Sequence, residues 1–225
     1  VFSLEEYRRD LDTPQVFFMP AINPFSIKNR QLDDRECRDR FEHYDIPTDL
    51  PLVVQVSRFD RWKDPEGVIR AFKMARREVD ATLVLLGNIA TDDPEGEETY
   101  HSLLKEREER IIILSAEDTA LVNALQRRAA VVLQKSKREG FGLTVTEAMW
   151  KGKAVIGGDT GGIRYQIRDG ENGFLVSSVR EAADRMVLLL KDGERRREMG
   201  QKARESVRRG FLLTRLLEQY LDLFA

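Results

Sequence analysis

The chain has 225 residues, 41% of them hydrophobic and 34% charged, enough for one well-filled globular core. Its 37 Lys and Arg nearly balance 39 Asp and Glu, so no basic excess recruits nucleic acid or an acidic membrane surface. Cys37 is the only cysteine, and His43 and His101 are the only histidines. This excludes an intrachain disulfide and a cysteine metal cluster, and it suits a reducing cytoplasm.

The charged opening VFSLEEYRRD lacks the apolar middle of a signal peptide. No apolar run approaches the roughly 20 residues of a membrane span. VFFMP reads as a lone strand and AINPFSIKN as a Pro/Asn loop, and the charged helical stretch LDDRECRDRFEHY follows. Residues 1–30 therefore read as the end of a preceding domain and a linker. PLVVQVS is the first β-branched strand. A helix spans about Asp64 to Val79, with Val68, Ile69, Phe72 and Ala75 on one stripe. ATLVLLG is a second strand, and the acidic loop TDDPEGEE leads to a helix around Tyr100 to Glu109. IIIL, AVVLQ and KAVIGG are further strands, separated by helices over Thr119 to Arg128 and over LTVTEAMWKG. Gly161 and Gly162 open a helix that ends near Asp169, and Gly170 and Gly173 turn into the short strand GFLV. Three helical patterns close the chain; Arg195, Arg196 and Arg197 in one of them stand beside acids, as on a solvated helix face.

The strands are near-continuous apolar runs, the mark of a parallel sheet covered on both faces. Their alternation with helices predicts an α/β, Rossmann-like fold over residues 31–210. Ligands of such folds bind beyond the carboxyl ends of the strands, so the loops after Ser57, Gly87, Leu114, Gln134 and Gly157 are where a site is expected.

The most informative of these loops is KREGFGLTVTEAMWKG. Gly140 and Gly142, between a strand and a helix, let the backbone approach a ligand closely. The amides near Leu143 and Thr144 form an anion site with the helix dipole behind them. Glu139 and Glu147 would repel a phosphate they touched; they make sense holding hydroxyls, Glu139 of a sugar and Glu147 of a ribose. Two Glu residues eight apart also arise by chance in a chain this acidic, and Gly-Phe-Gly also suits a plain turn with a core Phe. In SRFDRWKD, Arg58 and Lys63 combine an arginine fork with a lysine point charge, which suits a diphosphate. An ordinary basic loop paired with Asp60 and Asp64 gives the same letters.

Together these segments resemble the C-terminal domain of the retaining GT-B glycosyltransferases, the group with an E-x7-E motif that includes sucrose synthases, glycogen synthases and mannosyltransferases. The likeness covers roughly residues 13 to 224. Within the group, VSRFDRWKD, DDPEG, REGFGLTVTEAMWKGKAVIG and GGIRYQIRDGENGFLV look like the trehalose synthases that join a nucleotide-activated glucose to free glucose. The resemblance implies that Arg58 and Lys63 hold the donor diphosphate and that Glu139 contacts the donor sugar. It implies that the backbone of Gly140, Phe141, Gly142, Leu143 and Thr144 meets sugar and phosphate, and that Glu147 binds the ribose. The loop near Ile113 and Leu114 would meet the nucleobase through backbone atoms. The substrate implied is a nucleoside-diphosphate sugar, UDP-glucose or ADP-glucose, with a sugar acceptor such as glucose and with no cofactor or metal. Asp10-Leu11-Asp12 matches the D-x-D pattern of metal-dependent transferases but stands before the sheet. The residue after Lys63, usually Gly in the wider group, is Asp64 here.

The resemblance also implies a first Rossmann domain, which residues 31–210 do not supply, so the chain is expected to bind donor without transferring sugar by itself. Residues 211–225, with Leu212, Leu213, Leu216, Leu217, Tyr220, Leu221 and Phe224 on one stripe, either pack on this domain's own sheet or dock on the missing domain. In the second case the bare face either docks in a foreign place or mediates self-association. The rival functions are a non-catalytic nucleotide-binding module, a sugar-nucleotide epimerase and a phosphorylase.

Overall fold

The computed structural model describes residues 16–88 and 94–225; Asp10-Leu11-Asp12 and the first part of the acidic loop lie outside the described residues. The strands are β1 Leu52–Val56, β2 Thr82–Gly87, β3 Ile111–Ser115, β4 Val131–Gln134, β5 Ala154–Gly158 and β6 Phe174–Val176. They form one sheet in the order β3-β2-β1-β4-β5-β6, every pairing parallel. All residues of β1, β2, β4 and β5 are buried, as two covered faces require.

Successive residues of each strand enter opposite cores. Val54, Val84, Val132 and Val155 face one cluster, closed by α4 (Thr119–Arg128), α5 (Leu143–Trp150) and α8 (Gly193–Gly210) through Leu121, Val145 and Ala203. Val53, Leu83, Leu133 and Ile156 face the other, closed by α2 (Pro65–Ala75) and α7 (Val179–Lys191) through Val68 and Met186. α1 (Asp34–His43) begins with a capping box between Asp33 and Glu36 and lies against α4. The sheet order reverses between β1 and β4, so the loops leaving these adjacent strands diverge and open a crevice between them.

Four local readings are corrected. VFFMP forms no strand: no strand among the described residues pairs with it, and in this region Ile22 makes only an isolated bridge to Leu212. The helix after the acidic loop, α3, runs Pro94–Leu104, starting earlier than Tyr100 because Pro94 suits the first helical position. α2 ends at Ala75, short of Val79, and the helix opened by Gly161 and Gly162 is a single turn, α6 (Ile163–Gln166).

The last helix, α9 (Leu213–Phe224), buries none of its residues, so it is not seated on the domain's own sheet. Tyr220 meets Phe18 edge-on with ring centroids 4.8 Å apart, and Arg215 donates to the Met19 carbonyl at 2.8 Å. α9 thus lies along the segment entering the domain. Leu217, Leu221 and Phe224 remain 60%, 62% and 82% exposed.

Candidate functional site

Two clefts open at the carboxyl end of the sheet, beside the β1/β4 crevice. One, of about 630 Å³, is walled by Arg58, Lys63, Gln134, Glu139 and the Phe141–Thr144 stretch. The other, of about 420 Å³, is walled by Lys28, Arg58, Gly87, Asn88 and residues 116–119. Ser57, Arg58 and Thr144 belong to both, so the clefts meet at the start of β1's loop and at the first turn of α5.

The loop after β1 is shaped by Asp60, whose Oδ1 accepts from the amides of Trp62 at 2.9 Å and Lys63 at 3.0 Å. Gln55, a buried polar residue on β1, donates to the Lys63 carbonyl at 3.0 Å and so fixes the loop's exit. Lys63 then reaches across the crevice to Glu139, Nζ to Oε2 2.7 Å. The same oxygen accepts from Ser136 Oγ at 3.1 Å and lies 3.5 Å from Gln134 Nε2. Arg58 leans on Asp60 at 3.3 Å with its side chain 62% exposed, a cation held loosely over the junction of the clefts.

Asp64 adopts the left-handed conformation, φ 51° and ψ 47°, which explains why glycine suits this position in the wider group. Its side chain is buried. Burial pushes its carboxyl up, but the ammonium groups of Lys135 and Lys137 outweigh that and hold it below the usual carboxylate range.

The loop after β4 bends into α5 at Gly142, φ 81°, and no side chain caps the helix. Its first-turn amides are therefore available to an anion. The loop leans on the glycines that follow β5. A Cβ on Gly161 would stand 1.8 Å from the Glu139 carbonyl oxygen, and the Gly162 amide donates to the Gly140 carbonyl at 2.7 Å. Buried Gln166 donates to the Phe141 carbonyl at 2.5 Å and accepts from Thr146 Oγ1 at 2.6 Å. Phe141 is buried, its ring 5.8 Å from that of Phe211.

Glu147 lies a turn deeper in α5, 5% exposed and 3.6 Å from Lys28 of the entering segment. Burial raises its carboxyl, opposed by Lys28 and Lys151, and its Oε2 is buried with no hydrogen-bond partner among the described residues. Below it, burial pulls Lys151 down to about 7, although Asn29, Gln126 and the Glu147 carbonyl surround its ammonium at 3.0, 2.8 and 3.2 Å.

The structure thus brings Arg58, Lys63, Glu139 and the Gly140–Thr144 stretch together, with Glu147 just behind them. It does not bring Ile113 there: this side chain is wholly buried in the sheet, and Leu114 is the next residue of the same strand. β3 runs on to Ser115, so Ile113 and Leu114 lie within the strand rather than in the loop after it, and the lining of the second cleft includes Ala116–Thr119. Lys28, Asn88 and Glu117 were not singled out in the sequence; Asn88 and Glu117 are linked at 3.3 Å across the mouth of the second cleft.

Residues 38–206 match the family described as glycosyl transferases group 1. The chain belongs to the group 1 glycosyltransferases. It is 43% identical over 99% of its length to a trehalose synthase of Pyrococcus horikoshii, and 41% identical over its full length to one of Rubrobacter xylanophilus. It spans 56% of the length of each of these relatives. Among solved structures, the Anabaena protein HepE in complex with UDP-glucose superposes with a TM-score of 0.74 at 20% identity, covering 86% of this chain and 53% of that one. The fold is accordingly the C-terminal half of a GT-B glycosyltransferase, a Rossmann-like α/β domain. No helix among the described residues is long and apolar enough to cross a membrane.

Proposed function

We propose that the two clefts form the donor site of a retaining glycosyltransferase that moves glucose from a nucleoside-diphosphate-glucose, UDP-glucose or ADP-glucose, to a sugar acceptor, with free glucose giving trehalose. The observation that carries this reading is the shared wall. A diphosphate at Ser57, Arg58 and the first turn of α5 would place its sugar against Glu139 and Lys63 and its nucleoside against Asn88 and Ala116–Thr119. The trehalose synthase relatives support the product, and the solved complex of HepE with UDP-glucose supports the donor class.

In this reading Arg58, Lys63 and the α5 amides meet the negative charge that grows on the leaving diphosphate. Two cations and a helix terminus make a metal unnecessary. Glu139 accepts from a donor-sugar hydroxyl, and its charge supports an oxocarbenium-like transition state. Glu147, paired with Lys28 of the second cleft's wall, takes a ribose hydroxyl once its buried carboxylate is opened to the cleft.

The test is titration calorimetry of the chain with UDP, UDP-glucose, ADP and ADP-glucose in the presence of a chelator. One nucleotide pair should bind, and its sugar nucleotide more tightly than its diphosphate. Binding that disappears with the chelator would refute metal independence. Equal affinity for diphosphate and sugar nucleotide would favour a nucleotide-binding module without transfer activity.

We further infer that an N-terminal domain, within the part of the relatives' length that this chain does not span, supplies the acceptor site and covers the bare face of α9. Apolar patches of several hundred square ångströms seldom stay exposed. The isolated chain is therefore expected to self-associate. Sedimentation should show a dimer that becomes a stable monomer when residues after Gly210 are removed. A monomer whose thermal stability falls sharply on that truncation would instead mean that α9 belongs to this domain's own packing.

A further inference from the structure

The loops of the proposed donor cleft are joined twice. On the cleft side Lys63 meets Glu139; beneath it, buried Asp64 is paired with Lys135 and Lys137 of the β4–α5 loop, Lys137 at 2.8 Å. The left-handed backbone at Asp64 turns its carboxylate back over the first turn of α2. There it occupies the place of a side chain at position 67: a Cβ built on Gly67 would stand 2.1 Å from Oδ2. The two loops depend on this carboxylate unequally. The loop ending at Lys63 is braced independently by Asp60 and Gln55. The limb from Lys135 to Glu139 is tied to it by the Asp64 pairs, the Lys63–Glu139 pair and the Lys137 amide donating to the Trp62 carbonyl at 2.7 Å.

We propose that Asp64 is a positioning residue: its buried carboxylate pins the limb carrying Lys135 and Lys137 and thereby sets Glu139 at the donor sugar. The inference rests on the donor-site reading of Glu139. It also divides the cations of the site. Lys135 and Lys137 are paired with Asp64, whereas Arg58 and, once released from Glu139, Lys63 are the cations of the first cleft's wall that face the diphosphate. Removing the carboxylate strands a nearly buried ammonium at Lys135, whose cost is relieved by moving the limb outward. The limb's other side still leans on Gly161, so it shifts rather than unfolds.

The test measures, in the full-length protein, the ratio of affinities for the sugar nucleotide and the bare diphosphate, using whichever of the UDP or ADP pairs the unaltered protein binds. Asp64→Asn keeps the volume and tolerates the left-handed backbone, and it should lower this ratio roughly tenfold with little change in diphosphate affinity. Adding Lys135→Met should restore most of the ratio, because no buried ammonium is then unpaired. Gly67→Ala should produce the same loss by displacing the carboxylate, yet add nothing on top of Asp64→Gly; this second route stands if Asp64→Asn folds poorly. An unchanged ratio in both Asp64→Asn and Gly67→Ala, or equal weakening of the two ligands, would overturn the proposal while leaving the donor site intact. An unaltered protein with no preference for the sugar nucleotide would overturn the donor-site reading and this inference with it.

Discussion

Replacing both Arg58 and Lys63 by alanine is expected to weaken nucleoside-diphosphate binding by about a hundredfold. Each charge-assisted hydrogen bond is worth roughly 1.5–3 kcal/mol, so two at full value would give more. Two observations reduce the sum. Arg58 is mostly exposed, so water screens it, and Lys63 must leave Glu139 before it can serve a phosphate. The variants should therefore differ in kind. Arg58→Ala removes a cation that has little to do in the empty site, and its whole effect should appear in binding. Lys63→Ala leaves Glu139 nearly buried without its counter-charge, so it should also lower the melting temperature. Calorimetry and thermal melts on the two single variants and the pair would check this. A loss below about threefold in the double variant would remove both residues from the phosphate site.

The strands were legible because they are short apolar runs bounded by turn residues and alternating with helical patterns, although VFFMP has a similar composition and forms no strand. PLVVQV, ATLVLLG, IIIL, AVVLQ and KAVIGG are apolar runs that helical spacing does not explain, and all five lie in the sheet. The glycine-rich start of α5 was legible for the same local reason. What failed locally was the set of boundaries. β3 extends through Ser115, so the loop expected to begin near Leu114 begins one residue later.

What could not be read were contacts that exist only because β1 and β4 are neighbours at the switch point. Lys63 and Glu139 are far apart in the sequence, and Asp64 with Lys135 equally so. A weaker signal was present and unused. Gln55 and Gln134 interrupt otherwise apolar strands near their carboxyl ends, and both are buried beside the site, bonding to the loops that follow them. A polar residue at the end of a buried parallel strand needs a partner, and the partner is the ligand loop. Lys28 gave no such signal, since it sits in a loop whose course depends on α4 and α5.

The second large effect concerns the two glutamates, which should fail in different ways in the full-length enzyme. Glu139→Gln keeps the shape of the side chain but removes its charge. The lost charge is expected at the reacting sugar, so turnover should fall by about 10²–10³, the range seen when a transition-state electrostatic contact is removed. Nucleoside-diphosphate affinity should not fall with it, because Lys63 then loses the partner that holds it at 2.7 Å and becomes freer to meet a phosphate. Glu147→Gln removes charge from a buried carboxylate beside Lys28 that is the proposed ribose acceptor. A hydrogen bond to a charged group is replaced by a neutral one, which should weaken nucleotide binding by roughly tenfold. Turnover at saturating donor should change much less, since the ribose is remote from the breaking bond. Steady-state kinetics with calorimetry on both variants separates these outcomes. If Glu139→Gln costs more affinity for bare diphosphate than Glu147→Gln does, the roles of the two carboxylates are exchanged. If Glu139→Gln leaves turnover intact, its pairing with Lys63 only closes the empty cleft.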